Sequence, residues 1–163
     1  MIFDSIDLFI LALYMGICYY HVFHSKKPSA LLIAVVTLTF VEITSIVFKP
    51  VRWGGPPELA KHVWYLGYMV IDTLAIALMA RLSKVFSLTF RQNYELIMTL
   101  GVLLLLFTVQ AARYFDRMII ESNILTGFYQ TAIPAINIAT LAMIIYFTVK
   151  HFYSRRKIQG AKS

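Results

Sequence analysis

Residues 30–48 read ALLIAVVTLTFVEITSIVF, nineteen positions with one ionisable side chain, Glu42. At 1.5 Å per residue, a helix of that length crosses the ~30 Å hydrocarbon core of a bilayer. A surface helix of a soluble bundle would carry a charged and polar face along its whole length, and the first seven residues of this segment are all apolar. Runs of similar character flank it, at about 3–23 on one side and 62–82, 93–112 and 124–149 on the other. The composition agrees: 60% of the 163 residues are apolar and 14% charged, whereas a soluble domain carries roughly a quarter charged residues. The expected fold class is therefore an all-α integral membrane protein, a single domain over residues 1–163 built as a bundle of about five transmembrane helices. No internal repeat or low-complexity tract interrupts it.

The connections carry the helix boundaries. Residues 3–23 have the apolar length of a signal peptide, but no Lys or Arg precedes them and no small-residue cleavage site follows, so they are expected to stay attached. Asp4 suits an N-cap, with Asp7 near the positive end of the helix dipole. Pro28-Ser29 separates the first two helices. The turn-rich run 49–57 separates the second and third, and Pro57-Glu58 fits a helical first turn. The basic, Phe-containing run between Arg81 and Arg91 precedes Thr89-Phe90-Arg91-Gln92, which has capping-box spacing for the fourth helix. A basic tail, 150–163, ends the chain.

Basic residues crowd cytoplasmic loops. With the N-terminus outside, the inner side holds Lys26, Lys27, Arg81, Lys84, Arg91, Lys150, Arg155, Arg156, Lys157 and Lys162. The outer side holds Lys49, Arg52, Lys61, Arg113 and Arg117. Ten against five predicts an outside N-terminus and a cytoplasmic C-terminus, in the cell membrane (the inner membrane of a bacterium). The +7 net charge is then an ordinary loop excess, and no basic run interleaved with aromatics is long enough to follow nucleic acid. The bilayer is the first partner. A second copy or a partner subunit is the next, because five helices enclose little by themselves and Thr73, Ala77 and Ala80 form a small-residue face.

Ionisable groups at membrane depth cost about 2.5–3.5 kcal/mol to insert, so they face protein or water and become candidate functional groups. Glu42 and Asp72 are the two that stand out, roughly 9 and 15 Å below the outer helix ends at 1.5 Å per residue. Thr39, Glu42 and Ser45 share one helix face, and Tyr65, Tyr68 and Asp72 share another. Gln110 and Arg113 lie three apart near the outer end of the fourth helix. Gln130, Asn137 and Thr140 lie on one side of the fifth. Between them Pro134 has no N–H for the Gln130 carbonyl, and a kink is expected there. The plainer reading of the amides and hydroxyls is interhelical hydrogen bonding at about 0.6 kcal/mol each. The candidate pathway is thus Glu42, Asp72, Gln110, Arg113, Gln130 and Asn137. Glu42 is expected to pair with Arg113, with Lys49 two turns away, and Asp72 to face an internal cavity.

His21, His24 and His151 fall at the inner ends of the first and fifth helices, which makes them candidate ligands of a b-type haem, against the plainer reading of solvated interfacial histidines. His62 stands alone at the outer surface. Trp53, Trp64 and Tyr65 fit an outer aromatic belt. The single cysteine, Cys18, allows no internal disulfide, and no zinc spacing is present. No nucleophile elbow, zincin, P-loop or dinucleotide fingerprint occurs. The run Arg91-Gln92-Asn93-Tyr94-Glu95 is explained more simply by helix capping than by a cofactor. With no catalytic residue and no metal site to assign, the expected role is a non-enzymatic channel, transporter or sensor subunit. The rivals are a membrane enzyme or haem-bearing redox subunit, and a structural anchor or immunity-type interaction protein.

Overall fold

The computed structural model describes residues 2–24, 29–51 and 56–160. Among these every regular element is helical: α1 (Ile2–His24), α2 (Ala30–Val51), α3 (Pro57–Val85), α4 (Tyr94–Tyr114) and α5 (Thr126–Gly160). Four of them are long and apolar enough to cross a membrane, over Ala30–Phe48, Leu59–Val85, Tyr94–Ile119 and Thr126–Ser154. The apolar part of α1, Asp7–Phe23, is shorter.

The helices run alternately up and down. Phe48 near the end of α2 meets Tyr68 of α3, His62 near the start of α3 meets Tyr114 at the end of α4, and Tyr20 of α1 meets Phe152 of α5. One end of the bundle therefore carries the starts of α1, α3 and α5, and is called here the N-terminal end. The other carries the starts of α2 and α4 and the C-terminus. α3 packs along α2 and α4, α1 lies on α2, and α5 lies mainly on α4.

The apolar core sits in the middle and toward the C-terminal end. Ile10 and Tyr14 of α1, Leu31, Ala34, Val35 and Leu38 of α2, and Ile144 and Phe147 of α5 form one buried cluster. Ala30 and Ile33 of α2, Ala75 and Met79 of α3, and Leu96 and Leu103 of α4 form the second. Small Ala34 and Ala75 are fully buried, where a short side chain lets neighbouring helices approach closely. Thr73, Ala77 and Ala80 face outward instead.

Several boundaries differ from the sequence reading for local reasons. α1 starts at Ile2, so Asp4 is in its first turn and not at its cap; the Asp4 side chain lies outside the described residues. Thr89 makes no side-chain cap bond, because a 3-10 turn, Phe90–Gln92, intervenes and α4 starts only at Tyr94. The Asn93 amide donates back to the Thr89 carbonyl at 2.7 Å and closes that turn. α4 continues past residue 112 into a π-helical turn, Phe115–Ile119. α5 starts at Thr126 and not 124, because Glu121 and Asn123 adopt left-handed backbone at φ 57° each. It then continues as a helix through Pro134.

Candidate functional site

The polar residues that break the apolar pattern gather in the N-terminal half, where they line two adjoining cavities. The deeper one, about 350 Å³, is walled by all five helices. α1 supplies Asp7 and Ile10, α2 supplies Val41, Glu42 and Ser45, and α3 supplies Trp64, Tyr68 and Asp72. α4 adds Leu106 and Gln110, and α5 adds Tyr129, Ile133, Pro134, Asn137 and Ile138. Three carboxylates thus share one chamber whose lining holds no Lys, Arg or His among the described residues. Asp72 is 4% exposed, so what solvent its carboxyl meets, it meets here. Pro134 and Ile138 are exposed on the bundle surface and also line the chamber, which brings it to the side of α5.

The second cavity, about 440 Å³, lies nearer the N-terminal end. It is bounded by Ala60, Lys61, Trp64 and Tyr65 of α3, Arg113 of α4, Arg117 of the π turn, and Thr126, Tyr129 and Gln130 of α5. Its lining is as basic as the chamber is acidic. Arg117 donates to the Tyr65 hydroxyl at 3.2 Å.

A hydrogen-bonded partition separates the two spaces. The Trp64 indole N–H donates to the Tyr129 hydroxyl at 3.1 Å, and that hydroxyl donates to Gln110 Oε1 at 3.0 Å. Trp64 and Tyr129 border both cavities. Aromatic edges brace them: Trp64 meets Tyr68 with ring centroids 5.1 Å apart, and Tyr65 meets Tyr129 at 5.8 Å. Such edge contacts put the positive rim of one ring on the negative face of another.

The sequence groups Glu42, Asp72, Gln110 and Asn137 together, and all four line the chamber. It groups Arg113 and Gln130 with them, whereas these two line the basic cavity. Thr39 and Thr140 are turned away, each donating to a carbonyl four residues back in its own helix, at 2.8 and 2.7 Å.

The expected Glu42–Arg113 pair is not formed. Arg113 pairs with Asp116 instead, three residues on, and its other terminal nitrogen donates to Asn123 Oδ1 at 3.2 Å and Thr126 Oγ1 at 2.8 Å. Asp116 in turn accepts from the Ser122 hydroxyl and from the Ile124 and Leu125 backbone N–H groups, the latter two at 3.1 Å. A local partner in a shared turn costs less ordering than one on a distant helix, so Arg113 ties down the α4–α5 connection. The Lys49 side chain lies outside the described residues.

Other expectations change for similar reasons. Trp64 and Tyr65 do not form a lipid-facing belt, since Tyr65 is 3% exposed and Trp64 walls both cavities; Trp53 lies outside the described residues. His62 is not alone, because its Nδ1 lies 3.2 Å from the Tyr114 hydroxyl. His21 and His151 do come together at the C-terminal end, with ring centroids 5.0 Å apart. The rings touch, so a haem held by both would require them to separate. The His24 side chain lies outside the described residues.

Asp7, Tyr129, Lys61, Arg117 and Asp116 escape the sequence reading as site residues. The spacing of Arg113 and Asp116, three apart, is the one available signal for the last. Comparison with known proteins adds no constraint: the chain matches no protein-family model, no curated protein and no solved structure.

Proposed function

We propose that the chain is a five-span membrane protein, N-terminus outside and C-terminus cytoplasmic, that binds a small positively charged solute in the acidic chamber as a transporter or sensor component. The observation that carries this reading is the convergence of Asp7, Glu42 and Asp72 from three helices on one cavity of about 350 Å³. Carboxyl groups at membrane depth are costly, so they face protein or water and mark solute sites. Their collection in one space is what a cation site requires. Trp64, Tyr68 and Tyr129 line the same space, and aromatic faces attract cations within about 6 Å of the ring centroid. Gln110 and Asn137 supply neutral hydrogen-bonding groups.

The chamber reading is tested by single cysteines at Ser45 and Asn137 in a Cys18→Ser background. Both should react with a small permeant thiol reagent in folded protein, and an organic cation that occupies the chamber should slow them. A sealed space, unreactive at both positions until the protein unfolds, would sink the proposal. Reporter fusions after Lys150 and within the Lys84–Arg91 connection should report cytoplasm. A tail found outside would reverse the orientation and leave the chamber in the opposite leaflet.

The His21–His151 pair favours a second reading, a redox subunit carrying b-type haem near the C-terminal end. The visible spectrum of protein purified from native membranes discriminates. A haem Soret band lost in a His21→Ala variant would establish it, and colourless, fully assembled protein would remove it.

A further inference from the structure

We infer that the basic cavity at the N-terminal end is a binding site for a phosphate-type anion, supplied either by a lipid headgroup or by free phosphate. It is a separate space from the acidic chamber and does not depend on what the chamber binds.

Three observations carry the inference. First, Lys61, Arg113 and Arg117 converge there from α3, α4 and the π turn, and the described lining contains no carboxylate. Asp116 neutralises Arg113, which leaves Lys61 and Arg117 as net charge facing the cavity. Second, the Arg113 side chain is only 4% exposed and lines the cavity, and its buried Nε–H has no hydrogen-bond acceptor among the described residues. Five N–H donors on a buried guanidinium call for acceptors, and the described residues around this cavity-lining side chain leave it one acceptor short. Third, the early turns of α3 (Ala60, Lys61) and the first residue of α5 (Thr126) border the same space. The Ala60 and Thr126 N–H groups are already bonded, to the Pro56 and Asn123 carbonyls at 2.9 and 3.3 Å, so what the two helix starts add is the positive end of their dipoles, which favours an anion.

The depth suits a phosphate. Lys61 lies near the start of one apolar span, Arg117 near the end of another, and Thr126 at the start of a third. The ends of these spans put the cavity level with the edge of the hydrocarbon, next to the headgroup layer where lipid phosphates reside. Arginine matches phosphate oxygens in a two-pronged fashion, and lysine meets them as a point charge.

The test uses the full chain in dodecyl maltoside, a detergent without phosphate. Inorganic phosphate is titrated in, and separately phosphatidylglycerol is added in mixed micelles, with Tm and tryptophan fluorescence as readouts. Trp64 borders the cavity and should report occupancy. Wild-type protein should gain Tm with at least one of the two. A response to phosphatidylglycerol alone identifies a lipid headgroup, and a response to phosphate alone a soluble anion. Lys61→Gln with Arg117→Gln should weaken the affinity behind that response by about tenfold or more, since both net charges facing the anion are then gone and hydrogen bonds to ionised groups are the strong ones. Lys84→Gln with Arg91→Gln, at the opposite end, should leave it unchanged. If the double variant fails to fold, exposed Lys61 changed alone serves the same comparison. No response to either anion, or a response undiminished by the cavity variants, would overturn the inference.

Discussion

Thr37 and Thr99 in the C-terminal half, and Trp64, Tyr129 and Gln110 in the N-terminal half, are all polar groups at membrane depth, and they find partners differently. Thr37 and Thr99 are fully buried and donate to carbonyls four residues back in their own helices, both at 2.8 Å. Their hydrogen bonding is complete before any helix docks, so the surrounding surfaces can be apolar and closely packed. Trp64, Tyr129 and Gln110 reach from three helices to one another. That chain holds helices apart as much as together, and cavities lie on both sides of it. A polar group satisfied within its helix permits a sealed core, whereas one satisfied between helices supports a hollow one.

The largest effect should come from the sealed half. Leu103→Ala and Ile144→Ala each empty a fully buried position and should cost about 2–5 kcal/mol, in the range seen for buried large-to-small changes. Ile133→Ala in the chamber wall should cost well under half as much, because that side chain already borders empty space. Unfolding equilibria in mixed micelles provide the measurement, and equal losses would erase the distinction between the halves.

Next in size is Gly67→Ala. A Cβ there would stand 2.1 Å from the Phe48 ring, where the aromatic side chain of α2 lies directly against the backbone of α3. Overpacking should cost about 1–3 kcal/mol. Shortening Phe48 to Leu in the same protein should recover most of it, and additive losses in the double variant would show that the clash is not the cause.

Tyr129→Phe removes the middle of the partition and should cost about 0.5–1.5 kcal/mol. It should also raise thiol reactivity of a cysteine at Ser45 toward reagent applied from the N-terminal side. Unchanged reactivity would mean that the hydrogen bonds do not separate the cavities.

The smallest effect on stability is expected at Asp72. Asp72→Asn and Asp72→Leu should both leave the unfolding free energy within about 1 kcal/mol of wild type, since Asp72 makes no hydrogen bond or ion pair among the described residues for either change to remove. Protection of the chamber cysteines by an organic cation should nevertheless be lost in both. If Asn preserves folding and protection while Leu destroys folding, Asp72 is a structural hydrogen-bonding group and the solute reading fails.

Much of the chamber is legible in the sequence. Glu42, Asp72, Gln110 and Asn137 stand out because each is expensive in hydrocarbon, and helical spacing assigns each to a face. The second cavity is not legible there. Lys61, Arg117 and Asp116 sit near helix ends, where charge is ordinary and carries no signal of burial. Trp64 and Tyr65 occupy the depth expected of a lipid-facing belt, and depth does not say whether an aromatic ring turns toward lipid or toward the bundle.

Apolar run lengths alone dictate that the chain is a helical membrane bundle, because a bilayer admits backbone only with its hydrogen bonds satisfied, and a helix does this within its own segment. Which polar groups meet is a different matter, set by rotation and tilt of helices about one another, and no local rule encodes either. The π turn after Tyr114 brings Asp116 to Arg113, in place of the pairing expected between Arg113 and Glu42 on another helix. That exchange, one turn of backbone choosing a nearby partner over a distant one, puts Arg113 in the wall of the second cavity and not of the chamber.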